Sequence, residues 1–197
     1  MNCKNVLLKD ITLNRGVDKM KKEAGVVEGE SFGINIADDE PVYKSSKIEL
    51  RNITTQFFAS DGIIIKSNGE DIVLNNCRSY KNARQGLSIV KGKNIKILNS
   101  DFDSTGITGA YGWHGPAAGI DIENEFGLGN LSNLLVRNCN LRGNFGFQIV
   151  TNLSSDNVTI DSCFIADMTA GYSKTLNGVG MYSLSSRISN SIIFGNI

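Results

Sequence analysis

Gly62-Ile-Ile-Ile65 is followed by Ile72-Val-Leu-Asn-Asn76-Cys77, and both units return as Gly86-Leu-Ser-Ile89 and Ile95-Lys-Ile-Leu-Asn99-Ser100. In the glycine unit, the first and third residues after glycine are apolar. Side chains in a strand alternate between faces, so this spacing predicts a short strand with two residues in a core and one facing outward. A recurring unit of this kind indicates a repeat architecture.

The glycine unit occurs six times along the chain. The copies are Gly33-Ile-Asn-Ile36, Gly62-Ile-Ile-Ile65, Gly86-Leu-Ser-Ile89, Gly119-Ile-Asp-Ile122, Gly146-Phe-Gln-Ile149 and Gly178-Val-Gly-Met181. We therefore expect six strands that share one face of the molecule.

The second unit places a short polar residue at its fifth position. The resulting column is Asp10, Asn52, Asn76, Asn99, Asn138, Ser162 and Asn190. Side chains of this type bond nearby backbone and tolerate turn conformations. If the units stack, the column predicts a ladder of hydrogen-bonded side chains.

The spacing of this column indicates stacked coils rather than helices. Asn52 and Asn76 are 24 residues apart, and Asn76 and Asn99 are 23 apart. No long run with an apolar period near 3.6 is present, so a helical solenoid is excluded. The spacing predicts an all-β right-handed parallel β-helix of about six to seven coils, whose apolar residues become buried only when coils stack.

The paired units resemble those of the pectate-lyase-like superfamily of parallel β-helix proteins, over residues 5–196. The resemblance implies the fold and a carbohydrate-related activity, because polysaccharide lyases, glycoside hydrolases and phage tail spikes share this scaffold. It does not imply one reaction. The Asn-x-Asp, Asp-Asp, Gly-His-Gly and Arg-x-Lys motifs of polygalacturonases are absent from the chain.

We expect one domain over residues 1–197, with loop insertions at about 15–31, 103–118 and 166–177. The formal net charge is zero, from 20 basic and 20 acidic residues, and no basic stripe is visible. Nucleic acid is therefore a poor partner. No apolar run long enough for a membrane span and no signal peptide is visible.

Neither end shows a polar cap, so we expect a segment of a longer protein that is extracellular or part of a virion. A phage origin would predict a homotrimer.

Three cysteines follow the polar column directly, at Cys77, Cys139 and Cys163. Free cysteines are often buried, so the column predicts core thiols. A disulfide between Cys139 and Cys163 is the alternative. Metal binding is not expected at the cysteines, because no Cys-x-x-Cys or Cys/His pair is present.

The candidate site lies on the fourth glycine strand, where Asp121 and Glu123 both face outward. Their Cα atoms would lie roughly 6.5 to 7 Å apart by the rise of a strand. Two like charges at such a separation raise one pKa, so one carboxyl would act as general acid while the other stays ionised. This pattern is typical of a polysaccharide hydrolase.

Further residues are expected around this pair. His114 is the third catalytic candidate, and Tyr111 and Trp113 offer flat surfaces for sugar rings. Arg84 is the one candidate to clamp an acidic substrate. The expected substrate-binding residues on neighbouring strands are Ser88, Gln148, Lys66 and Tyr182.

Two alternatives stay open at this stage. The first is a lyase or epimerase, in which Asp121, Glu123 and Glu125 would hold Ca²⁺ and a residue such as Tyr111, His114 or Lys91 would be the base. The second is a non-catalytic segment that binds glycan or supports a fibre. The hydrolase requires no cofactor.

Overall fold

A computed structural model describes residues 3–16, 31–38, 42–106, 116–124, 131–167, 178–183 and 185–195. The expected loop insertions at 15–31, 103–118 and 166–177 lie largely outside the described residues. No helix in the described part is long and apolar enough to cross a membrane.

The described residues form sixteen strands, and every described pair of strands is parallel. Their bounds are β1 (Lys4–Asn14), β2 (Ile34–Ala37), β3 (Ser46–Gln56), β4 (Ile63–Asn75), β5 (Arg78–Tyr80), β6 (Leu87–Leu98), β7 (Asp101–Asp103), β8 (Ile120–Ile122), β9 (Leu131–Arg137), β10 (Asn140–Arg142), β11 (Ile149–Thr151), β12 (Ser155–Asp161), β13 (Phe164–Ala166), β14 (Val179–Met181), β15 (Arg187–Ser189) and β16 (Ile192–Phe194).

The strands stack as three faces of a parallel β-helix. The first face runs β2–β4–β6–β8–β11–β14 and contains the glycine strands. The second runs β1–β3–β4–β6–β9–β12–β15. The third runs β1–β3–β5–β7–β10–β13–β16. The long strands each contribute to two faces: β1 and β3 to the second and third, and β4 and β6 to the first and second.

The core lies between these faces, as the alternation of apolar residues predicts. Ile63 pairs with Leu87, and Leu87 with Ile120, in the register of adjacent coils. All three side chains are fully buried. The expectation that residues about two dozen positions apart are nearest neighbours is therefore confirmed.

The polar column forms turns between the second and third faces. Its members all have positive φ, between 49° and 59°. Asn76 Nδ2 donates to Asn52 Oδ1 at 2.8 Å, and Asn52 Nδ2 donates to Asp10 Oδ1 at 2.7 Å. The predicted ladder is thus confirmed in these coils. It departs from the column at Asn99, which donates to Asn75, and at Asn190, which donates to Asp161.

The three cysteines of the adjacent column are buried free thiols, as predicted. Each Sγ donates to a backbone carbonyl of the preceding coil: Cys77 to Leu50, Cys139 to Ile97, and Cys163 to Val136.

Candidate active site

The register of the first face positions Asp121 between two neighbours. Asp121 pairs with Ser88 on β6 and with Val150 on β11. Ile120 and Ile122 on either side of it are fully buried in the core, so Asp121 faces outward as expected. Asp121 is nevertheless only 3% exposed, which removes most of its carboxylate from water.

A second carboxylate, that of Asp61, lies close to Asp121 and is fully buried. Ser88 Oγ donates to Asp61 Oδ2 at 2.9 Å, and the backbone N–H of Gln85 donates to Asp61 Oδ1 at 3.2 Å. The side chain of Gln85 turns the other way, and its Nε2 donates to Asp121 Oδ2 at 2.5 Å. Gln85 therefore bridges the two carboxylates.

Arg84 connects this buried pair to the surface. Its Nε lies 3.4 Å from Asp61 Oδ1, and its Nη2 lies 3.7 Å from Glu123 Oε1. The side chain of Arg84 is 15% exposed and that of Glu123 is 34% exposed. We call Asp61, Arg84, Asp121 and Glu123 the carboxylate cluster. It holds three acidic groups against one guanidinium.

The cluster raises the pKa of its buried acids. Burial raises the pKa of Asp121 to about 7, and the nearby charge of Glu123 acts in the same direction, while the hydrogen bond from Gln85 and the charge of Arg84 oppose it. Burial likewise raises the pKa of Asp61 to about 6, against the opposing charge of Arg84. Near neutral pH Asp121 therefore exchanges between protonated and ionised forms, as a general acid or base must.

The structure brings together four of the residues expected from sequence, which are Ser88, Arg84, Asp121 and Glu123. The expected position of Gln148 beside Asp121 is wrong, because Val150 pairs with Asp121. Gln148 instead falls opposite Gly119. It is fully buried, and its Oε1 accepts from the backbone and side chain of Asn144.

The physical reason is that Gly146 does not begin its strand where the other glycines do. Ile149, three residues after Gly146, pairs with Ile120, one residue after Gly119, so the glycine pattern is shifted by two residues in this coil. A shift of two residues keeps the inward and outward side chains on their own faces, but it moves Gln148 away from Asp121 and brings Val150 beside it.

Lys66 and Tyr182 are two other predicted substrate contacts. An irregularity in β4 pairs Lys66 with Lys91 instead of Val90, and Lys91 is buried. Tyr182 follows β14, two strands beyond β8, and is 54% exposed. Their roles in substrate binding remain predictions.

Tyr111, Trp113, His114 and Glu125 lie outside the described residues, so their predicted roles also remain predictions. Among the residues that are described, no three His, Cys, Asp or Glu side chains are placed to hold a metal ion. Between Asp61 and Glu123 the cationic position is taken by the Arg84 guanidinium. The predicted Ca²⁺ site includes Glu125, which lies outside the described residues, so it remains a prediction.

Sequence reasoning missed Asp61 and Gln85. Each directly precedes a repeat glycine, as Asp61-Gly62 and Gln85-Gly86. The polar residue before glycine in two successive coils is a signal that could have found them. Alternation along a strand could not, because both residues precede the first residues of β4 and β6.

Comparisons with known proteins agree with this architecture. The family model described as "Right handed beta helix region" matches residues 42–197. A solved structure described as the crystal structure of pectate lyase Pel9A is similar with a TM-score of 0.57 at 12% identity, covering 94% of this chain and 53% of that one. This chain thus spans about half the length of that protein. The likeness shows the fold alone.

Comparison with curated proteins gave no match. The family assignment depends on the match of the family model over most of the chain, and the parallel coils of the structure agree with it. The chain belongs to the family of right-handed β-helix regions.

Proposed function

We propose that this chain acts on carbohydrate and hydrolyses glycosidic bonds of a polysaccharide at the carboxylate cluster. The observation that carries the proposal is the pairing of Asp121, a buried acid whose pKa is raised to about 7, with the more exposed carboxylate of Glu123 on the same face. The likeness of the fold to a structure described as a pectate lyase supports polysaccharide as the class of substrate.

In the proposed reaction, Asp121 is the general acid and Glu123 the general base. Glu123 removes a proton from water, whose oxygen bonds to the anomeric carbon. The bond from that carbon to the glycosidic oxygen breaks, its electron pair stays on the oxygen, and Asp121 protonates that oxygen. Inverting enzymes separate their two carboxyl groups by roughly 6.5 to 9.5 Å. The Cα atoms of Asp121 and Glu123 lie roughly 6.5 to 7 Å apart by the rise of a strand, so rotation of the two side chains can place their carboxyls at such a separation.

The surrounding residues would keep the two carboxyls in different protonation states. The charge of Glu123 and that of Asp61 favour a proton on Asp121. Arg84 lies beside Glu123, and its positive charge favours the ionised form of that carboxyl. The substrate would approach from the side of Glu123, because that side chain is the most exposed of the three acids.

The test is release of reducing ends from a panel of polysaccharides by the purified chain. We expect Asp121→Asn to lower the rate at least about 100-fold, because general acid catalysis contributes on the order of 10² to 10⁴. Asp156→Asn is the matched control, since Asp156 is an exposed carboxylate on β12, in the second face. Circular dichroism and thermal melting would check that both variants fold.

Three results would overturn the hydrolase. Asp121→Asn could cleave as fast as the wild type. The products could carry ultraviolet-absorbing unsaturated ends, which would identify a lyase. The chain could retain a glycan without cleaving it, which would identify a binding module.

A further inference from the structure

A surface cavity of about 480 Å³, which we call the groove, lies on the second face, away from the carboxylate cluster. Its floor is a row of side chains at equivalent positions of four stacked strands. Lys96 on β6 pairs with Leu135 on β9, Leu135 with Thr159 on β12, and Thr159 with Arg187 on β15. The row runs along the axis of the β-helix, and Lys96 and Arg187 are separated by three strand spacings, or roughly 14 Å.

One wall of this groove is a second polar ladder that sequence reasoning did not identify. Asn94 donates to Asp71 at 3.3 Å, Asn133 to Asn94 at 3.2 Å, and Asn157 to Asn133 at 2.8 Å. All four residues line the cavity and have positive φ. Each asparagine uses one N–H of its side-chain amide in the ladder and retains a second donor.

The groove is positively charged, although the chain as a whole is neutral. Its lining contains three cations, Lys96, Arg137 and Arg187, and one carboxylate, that of Asp71. Arg137 is paired with Asp161 at 2.9 Å. Within the described part of the chain, Lys96 and Arg187 have no hydrogen-bond or ion-pair partner. Two unpaired cations at the ends of one row favour a ligand with separated negative groups.

We propose that this groove binds an acidic oligosaccharide whose uronate carboxylates pair with Lys96 and Arg187. The planar guanidinium of Arg187 can meet a carboxylate through two parallel N–H donors. Leu135 and Thr159 between the cations offer a small apolar and hydroxyl surface under a sugar ring. The spare amide donors of the ladder face the hydroxyl groups of such a chain.

The inference rests on the proposed function only in taking a glycan as the ligand. The groove and the carboxylate cluster lie on different faces of the same coils, and β6 contributes to both. The groove would therefore anchor a polysaccharide at a site separate from the bond that is cleaved, which raises the local concentration of substrate.

The test is calorimetric titration of the whole chain with an oligogalacturonate, and with the same oligosaccharide after methyl esterification. We expect the free acid to bind and the ester to bind at least about tenfold more weakly, because charge-assisted hydrogen bonds are lost. Added salt should weaken binding of the free acid.

The variants Lys96→Gln and Arg187→Gln should each lower the affinity for the free acid by about tenfold. Lys93→Gln and Arg142→Gln are matched controls and should bind as the wild type does. Both control residues are exposed, and neither lines this cavity. Equal affinity for acid and ester, or unchanged affinity in both groove variants, would overturn the inference. Tighter binding of an oligonucleotide of equal charge would do so as well.

Failure of the inference and failure of the proposed function are distinguishable. If the groove variants lose binding while no polysaccharide is cleaved, the proposal of a binding groove is supported and the proposal of a hydrolase is contradicted. If cleavage depends on Asp121 while the groove variants bind as the wild type does, the proposal of a hydrolase is supported and the proposal of a binding groove is contradicted.

Discussion

At the scale of single residues, the chemistry of this protein depends on how Asp121 and Asp61 are removed from water. Both carboxylates are almost fully buried, and burial is the largest cause of the rise in each pKa. Arg84 and Ser88 act against this rise at Asp61, but they do not cancel it. Burial in this fold therefore makes ionisation of these two carboxyls costly in free energy.

The raised pKa values predict that stability falls as pH rises. Between about pH 4 and 7, Asp121 retains its proton in the folded chain and has lost it in the unfolded chain, where its carboxyl has the ordinary pKa of 3.8. The folded state then binds more protons, so the free energy of unfolding decreases with increasing pH. Asp121→Asn should reduce this slope, and we expect a difference on the order of a few kcal/mol between the ends of the range.

Urea denaturation at several pH values, for the wild type and Asp121→Asn, measures the slope. Asp156→Asn serves again as control, because Asp156 is exposed. A wild type as stable at pH 8 as at pH 5, or a variant with the slope of the wild type, would contradict the prediction.

At the scale of elements, turns and glycines determine how one coil follows the next. Asn76, between β4 and β5, has φ of 54° and also donates to Asn52 in the coil below. Gly86 begins a coil where a Cβ atom would lie 2.6 Å from the backbone oxygen of Gly119. The coils therefore approach so closely at this position that only glycine fits.

Substitution of Asn76 separates two contributions of a ladder residue to stability, its side-chain hydrogen bond and its tolerance of a positive φ. Asn76→Gly keeps the backbone freedom and removes only the hydrogen bond, so we expect a loss of about 1 kcal/mol. Asn76→Ala also places a Cβ in the left-handed region, and we expect a loss of about 2 kcal/mol or more. The free energy of unfolding in urea provides the comparison, and alanine and glycine variants of equal stability would show that backbone strain contributes nothing here.

At the scale of the whole molecule, three parallel faces share one core and present different outer surfaces. The first face carries the carboxylate cluster, and the second carries the positively charged groove. Burial is greatest in the middle coils, where Ile63, Ile65 and Leu87 are fully buried. In the outer coils, the inward residues Leu8, Ile11 and Ile193 are only partly buried.

This gradient predicts that local opening begins in the outer coils. In a stack, each coil is stabilised mainly by its neighbours, and amides in segments with little buried apolar surface exchange first. Hydrogen exchange followed by mass spectrometry should therefore show slow exchange in β4 and β6 and faster exchange in β1 and β16. Equal protection along the described strands would instead indicate that the stack opens as one cooperative unit.

The sequence by itself determined the coils, the buried stack of apolar residues from Ile63 to Ile120, and the polar column from Asp10 to Asn138. All of these depend on local spacing that repeats. It also placed Asp121 and Ser88 side by side, since strand alternation is a local rule.

Only the tertiary structure decided that Asp121 is buried, that Asp61 joins it, and that Val150 displaces Gln148 from its side. The positively charged row from Lys96 to Arg187 likewise emerged only with the register of four strands. The physical reason is that burial and register depend on contacts between coils, and a two-residue shift in a single coil changes which side chains meet.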